Sequence, residues 1–109
     1  MKYLVNLMII LLITFTSTIS YAENSPKVLL VLTSHSQLGN TGKQAGFWLS
    51  ELTHPYYRFK KEGYSIDIAS IQGGMAPIEH KSFDEPDEAN QRFLQDAGLM
   101  AKVIRTLPL

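Results

Sequence analysis

One short aliphatic run limits the folds open to this chain more than any other feature. Residues 27–33 read KVLLVLT, and the run lies between Pro26 and a stretch rich in Ser, Gly and Asn. An unbroken apolar run of this length is typical of a strand that is buried on both faces, as in a parallel sheet. The sequence therefore predicts an α/β fold in which this strand lies between layers of helices.

A helical pattern follows the loop. Apolar residues recur at spacings of three and four from Trp48 to Phe59, which predicts an amphipathic helix. Pro55 predicts a break at Thr53–His54, because the residue before a proline avoids helical angles. We therefore expect a short helix, a break, and a second helix that begins near Pro55 and ends at Gly63.

A second strand is predicted after this helix. Residues 64–70, YSIDIAS, alternate apolar and polar side chains, which is typical of a half-exposed strand near a sheet edge. Strand, helix and strand together predict a right-handed βαβ unit with parallel strands.

The C-terminal part of the chain is predicted to add one helix. Residues 77–90 are polar, which predicts an irregular segment on the surface. Residues 90–106 are predicted to form a last helix, capped by Asp87 or Asn90. Two strands leave open edges and an uncovered face, so the sequence predicts an α/β domain truncated after two strands.

The first 22 residues have the composition of a secretory signal peptide. Lys2 precedes an apolar core, and small side chains lead up to a cleavage point after Ala22. The apolar core is shorter than the roughly 20 residues that a spanning helix needs. We therefore expect an exported protein, periplasmic or secreted, whose mature domain covers residues 23–109.

The composition excludes several classes of function. The 109 residues carry ten basic and ten acidic side chains, so the chain lacks the excess of Lys and Arg that a nucleic-acid binder needs. It contains no cysteine, so these residues encode no thiolate metal site and no cysteine nucleophile. His35, His54 and His80 do not share metal-ligand spacing. Residues 39–42, GNTG, lack the phosphate-loop patterns and predict a turn. No cofactor is expected.

The stretch from residue 27 to about residue 82 resembles the ThiJ/PfpI superfamily, whose members are class I glutamine amidotransferase-like proteins. The segments that carry the resemblance are the VLLVLTS strand, the loop ending in GK-x-x-G, GFWLSEL-THP, and YYRFKKEGY leading into IDIAS-IQGG. The most similar branch contains heat-shock chaperones, glyoxalase III and protein deglycases. The resemblance implies a flavodoxin-like parallel sheet with flanking helices, of which this chain contains the N-terminal half.

The same resemblance implies a Cys-His-Glu site that converts reactive dicarbonyls such as methylglyoxal to hydroxy acids without a cofactor. The family's proton-relay glutamate falls on Glu51, whereas the nucleophilic cysteine and its histidine lie in the half that is absent here. Glu51 lies between Leu49 and Leu52, so partial burial is expected, although a solvated helix residue is the alternative. The chain alone is expected to be catalytically inactive.

Two alternatives to an enzyme remain open at this point. An exposed apolar face favours a non-catalytic holdase that binds unfolded protein clients. The other alternative is that the chain is an inactive gene remnant. Open strand edges also make a homodimer an expectation.

Overall fold

A computed structural model describes residues 24–109. Its elements, in chain order, are β1 (Lys27–Leu32), α1 (Leu49–Lys61), β2 (Ser65–Ser70), a 3-10 helix (His80–Asp84), α2 (Glu88–Leu94), α3 (Ala97–Ile104) and β3 (Leu107–Pro108). The predicted signal peptide, residues 1–22, lies outside this range. Among the residues that the structure describes, no helix is long and apolar enough to cross a bilayer.

The three strands form one parallel sheet in the order β1-β2-β3. Pairing runs in register from Lys27 opposite Ser65 to Leu32 opposite Ser70. This confirms the predicted fold class and the parallel pairing. The short β3 was not predicted, and because it pairs with the end of β2, the second strand is central rather than near an edge.

The hydrophobic core lies on one face of this sheet. It contains side chains from two strands and all three α-helices, together with two residues of the connecting loops: Leu32, Ile66, Ile68, Leu49, Leu52, Tyr56, Phe93, Leu99, Val103, Phe47 and Ala76. On β1 the opposite face is open, since Leu29 is 48% exposed and Val31 is 52% exposed. The prediction that β1 is buried on both faces is therefore wrong, because the described helices cover only one of them.

Helix α1 is continuous and contains Pro55 in its interior. The predicted break at Thr53–His54 is therefore wrong. An interior proline costs a helix about 3 kcal/mol, because it removes one hydrogen bond and crowds the preceding turn. Leu52 and Tyr56 are buried on either side of the proline, at 1% and 3% exposure, and this tertiary packing keeps the helix in one piece.

The C-terminal helix of the prediction is two helices in the structure. Helix α2 ends at Leu94, and α3 begins after Asp96, whose carboxylate accepts the backbone N–H of Leu99 at 3.0 Å. Because the Asp96 side chain caps the start of a new helix at this point, the predicted single helix is divided into two. The polar segment before α2, which was expected to be irregular and on the surface, contains the 3-10 helix, in which Ser82 is completely buried.

Candidate functional site

Glu51 lies in the first turn of α1. Its Oε2 accepts the backbone N–H of Trp48 at 3.1 Å, so the side chain caps the helix that carries it. This bond turns the carboxylate back toward the start of the helix. The side chain is exposed rather than partly buried, so that prediction is wrong for the chain as it stands.

A polar network fixes the first turns of α1 against the segment that leads into α2. Asn90 is buried and bridges the two: its Oδ1 accepts the Thr53 hydroxyl at 2.5 Å, and its Nδ2 donates to Glu85 at 3.2 Å. The same Glu85 carboxylate accepts the indole N–H of Trp48 at 2.9 Å. Trp48, which directly precedes α1 and lies three residues before Glu51, is therefore anchored to the segment that leads into α2.

A second contact lies beside this network. His54 Nε2 and Asp87 Oδ2 are 2.6 Å apart, and Asp87 also accepts the backbone N–H of Asn90 at 2.9 Å as the N-cap of α2. The backbone hydrogen bond from Asn90, and then the hydrogen bond from His54, hold the pKa of Asp87 below its ordinary value. The cap prediction of Asp87 is confirmed, whereas Asn90 lies inside the helix. His54 therefore supports the packing of α1 on α2 and not a helix break.

Aromatic rings hold the same two helices together farther along. The Phe93 ring packs edge-on against Tyr56 at 5.6 Å and Tyr57 at 6.4 Å between centroids. Arg92 places its guanidinium 4.5 Å from the centre of the Tyr57 ring. Burial raises the pKa of both tyrosines. These contacts set the helix spacing on which the polar network depends.

The other sequence candidates lie elsewhere. A cavity of about 470 Å³ is lined by Lys43 and His80, and Glu51 is not among its lining residues. His35 is exposed, and its backbone N–H bonds to Thr33. In residues 24–109 no group of three or more His, Asp or Glu side chains is arranged to hold a metal ion. The structure thus does not bring Glu51 and the three histidines into one site.

Sequence reasoning missed the network that positions Glu51. Thr53, Glu85 and Asn90 come together across sequence separations of five and 37 residues. Thr, Glu and Asn are common on solvated surfaces, so no local pattern marks them. Only the packing of α2 on α1 shows that two of them are buried.

Comparison with curated proteins finds two glyoxalases. The chain is 40% identical over 55 residues to glyoxalase 3 of Candida albicans, covering 50% of this chain and 23% of that protein. It is 37% identical over 73 residues to the glutathione-independent glyoxalase HSP31 of Saccharomyces cerevisiae, covering 60% of this chain and 31% of that protein. The chain thus spans less than a third of the length of either relative, 23% of one and 31% of the other. No protein-family model matches the chain.

Comparison with solved structures agrees with these matches. The crystal structure of the 24 kDa Rapid Encystment Protein of Francisella tularensis matches with a TM-score of 0.71 and 42% sequence identity. The match covers 76% of this chain and 37% of the Francisella chain.

The fold and the position of Glu51 define part of a flavodoxin-like α/β domain with a carboxylate in the first turn of the helix that follows β1. Together with the sequence and structural relatives, these features support the ThiJ/PfpI superfamily for this chain, each relative being matched over only part of its length.

Proposed function

We propose that this chain supplies the catalytic carboxylate, Glu51, of a cofactor-independent glyoxalase site that acts on small reactive dicarbonyls. The observation that carries the proposal is the position of Glu51 in the GFWLSELTHP segment, at the start of a helix held by Trp48 and Thr53, in a chain similar to two glyoxalases. The nucleophilic cysteine and its histidine belong to the remainder of such a domain.

The chemistry gives the carboxylate a definite task. Conversion of a 2-oxoaldehyde to a 2-hydroxy acid is an internal redox reaction: the aldehyde carbon is oxidised, the ketone carbon is reduced, and one water is added. A proton must leave the aldehyde-derived carbon and a proton must reach its neighbour, and one positioned carboxylate can perform both transfers. Glu51 is exposed in this chain while its Oε2 accepts the Trp48 N–H, so the carboxylate is held in position and remains accessible to a substrate that the rest of the domain encloses.

A chimera tests the proposal. Residues 24–109 would replace the matched part of the yeast glutathione-independent glyoxalase, and lactate formation from methylglyoxal would be followed. We expect an active chimera, and a loss of kcat of about 10²- to 10⁴-fold in its Glu51→Gln variant. Glu62→Gln is the matched control, because Glu62 is an exposed glutamate after the same helix and pairs with Arg58 at 3.5 Å. An inactive chimera, or equal activity of the two variants, would contradict the proposal.

The chain alone provides a second test. Because it contains no cysteine, we expect no lactate formation above the rate of free glutamate in buffer. Turnover that requires Glu51 but no thiol would overturn the cysteine-dependent mechanism.

The open sheet face supports a second candidate, a holdase that binds unfolded clients. Leu29, Val31 and Leu107 are each about half exposed, and contiguous exposed apolar surface is typical of client-binding proteins. The test is suppression of the heat-induced aggregation of citrate synthase at equimolar chain. A Val31→Asp variant that protects as well as the unmodified chain would contradict this candidate.

We further propose that the chain is exported, on the strength of the signal-peptide pattern in residues 1–22.

A further inference from the structure

A cavity that does not include Glu51 lies between the loop that follows β1 and the segment that follows β2. Its volume is about 470 Å³, within the range of about 300–1,000 Å³ that is typical of small-molecule sites. Residues between 36 and 45 form one wall, and residues between 75 and 80 form the other. Both walls follow the carboxyl ends of parallel strands, which is where α/β sheets bind their ligands.

The first wall is a closed hairpin. The Ala45 N–H donates to the Ser36 carbonyl at 2.9 Å, and Gln37 and Gln44 face each other in an antiparallel bridge. Directly opposed residues of such a pair point to the same face, and both glutamines line the cavity together with Ser36. The hairpin therefore offers amide and hydroxyl groups, which both donate and accept hydrogen bonds.

The second wall is fixed to the base of this hairpin. The Phe47 N–H donates to the Pro77 carbonyl at 2.9 Å, and the Glu79 N–H donates to the Phe47 carbonyl at 2.9 Å. A Cβ on Gly46 would collide with the Pro77 carbonyl, so the two segments are in direct backbone contact. Both walls and the bonds that join them lie within residues 36–80, so the shape of the cavity is set inside this chain.

The lining of the cavity carries a positive charge and no negative one. Lys43 and His80 line it, and none of the ten described residues that line it is acidic. Among residues 24–109 no acidic side chain pairs with Lys43, so its ammonium group is available to a ligand. Glu79 precedes His80, but its carboxylate accepts the backbone N–H of Lys81 at 3.4 Å. The charge of the cavity therefore favours an anionic ligand.

The remaining lining residues indicate the body of that ligand. Met75, Pro77 and Ile78 supply apolar surface on the wall that faces the polar hairpin. The His80 ring, which lies 6.2 Å from the Phe83 ring between centroids, adds ring nitrogens to the same wall. A molecule with several hydroxyl groups and a C–H face matches both walls, and carbohydrates have this composition.

We propose that this cavity binds a small hydroxylated anion, a sugar phosphate or a sugar acid, with Lys43 on the charged group and Gln37 and Gln44 on the hydroxyl groups. Phosphate and carboxylate share the chemistry that Lys43 recognises, so the two sources are separated by experiment. The interaction does not depend on any catalytic role of Glu51.

A titration followed by NMR tests the proposal. The full ¹⁵N-labelled chain would be titrated with glucose 6-phosphate and, separately, with gluconate. We expect saturable amide shifts confined to residues 36–45 and 75–80 with at least one of these anions, and the tighter one identifies the charged group. Glucose lacks the charge and inorganic phosphate lacks the hydroxylated body, so each should bind at least about tenfold more weakly.

Two pairs of variants locate the binding. Lys43→Met should weaken it at least about tenfold, whereas Lys61→Met removes the same charge from the exposed end of α1 and should change the Kd less than about twofold. Gln44→Glu places a carboxylate in the cavity and should also weaken binding at least about tenfold, because it repels the anion. Gln91→Glu adds the same charge at an exposed position of α2 and is its control.

Circular dichroism of each variant checks that it is folded, so a lost interaction is not confused with lost structure. The proposal is overturned if neither anion shifts the two segments, or if Lys43→Met and Lys61→Met behave alike. It is also overturned if glucose or inorganic phosphate binds as tightly as the sugar anions. Shifts that spread over the chain without saturation would likewise overturn it, because they indicate non-specific attraction of charge.

Discussion

The hydrogen bond between Thr53 and Asn90 offers the sharpest test of how the helix that carries Glu51 is held. Both residues are almost completely buried, at 0% and 1% exposure, and the two side-chain oxygens lie 2.5 Å apart. In residues 24–109 every buried side-chain polar atom has a partner. Removing either side chain therefore leaves the facing oxygen of the other, the Thr53 hydroxyl or the Asn90 Oδ1, buried without this hydrogen bond.

The expected cost follows from that loss. Asn90→Ala strands the Thr53 hydroxyl, which costs about 1–3 kcal/mol, and the vacated volume adds to this. Asn90 also gives up its bond to Glu85, which lies nearer the surface. We expect the free energy of unfolding to fall by about 2–4 kcal/mol, a large share of the stability of a small domain.

A double-mutant cycle isolates the hydrogen bond itself. Thr53→Val removes the hydroxyl at nearly constant volume and leaves the Asn90 oxygen unpaired, whereas Thr53→Val combined with Asn90→Ala removes both groups. Asn90→Ala should cost less when Thr53→Val is already present, giving a coupling of about 1 kcal/mol or more. Thr53→Ser, which keeps the hydroxyl, is the control and should lose only its methyl group, about 1 kcal/mol.

Urea unfolding followed by circular dichroism measures these differences, with the fluorescence of Trp48 as a second probe close to the network. The m-value should stay constant across the variants, because the surface exposed on unfolding hardly changes. A loss below about 0.5 kcal/mol for Asn90→Ala, or additive single effects, would refute the reasoning that this network fixes α1.

Three further predictions concern other parts of the chain. The pKa of Asp87 is lowered in the folded state, so its stabilising effect is present above the ordinary carboxyl pKa and is lost as the pH falls through the lowered value. Asp87→Asn should therefore flatten the acid limb of a stability–pH curve, and an unchanged acid limb would contradict this role. Gly46→Ala should lower the melting temperature, because a Cβ at this position would collide with the backbone of Pro77, and an unchanged melting temperature would contradict the close approach. Mass spectrometry of the protein from its host should show a mature chain cleaved after Ala22, and a membrane-bound chain that keeps Met1 would exclude the proposed cleavage.

The sequence was sufficient wherever a local pattern controls the structure. The aliphatic run of β1, the alternation in β2 and the glycine that follows α1 predicted a parallel α/β unit, and Gly63 ends the helix with a φ of +85°. The motifs around Glu51 also indicated the superfamily, because they depend on residue identity and order alone. These features need no knowledge of distant contacts.

Tertiary packing decided the points on which local rules failed. Pro55 should have divided α1, but buried neighbours on both sides of it outweigh the cost of the lost hydrogen bond. Pro108 and Leu107 form the third strand only because β2 is there to pair with them. The exposure of Leu29 and Val31 depends on which face the helices occupy, and the burial of Thr53 and Asn90 depends on how α2 lies against α1. The sequence of a segment determines its hydrophobic periodicity and its turns, whereas the burial of a side chain depends on which other element packs against it.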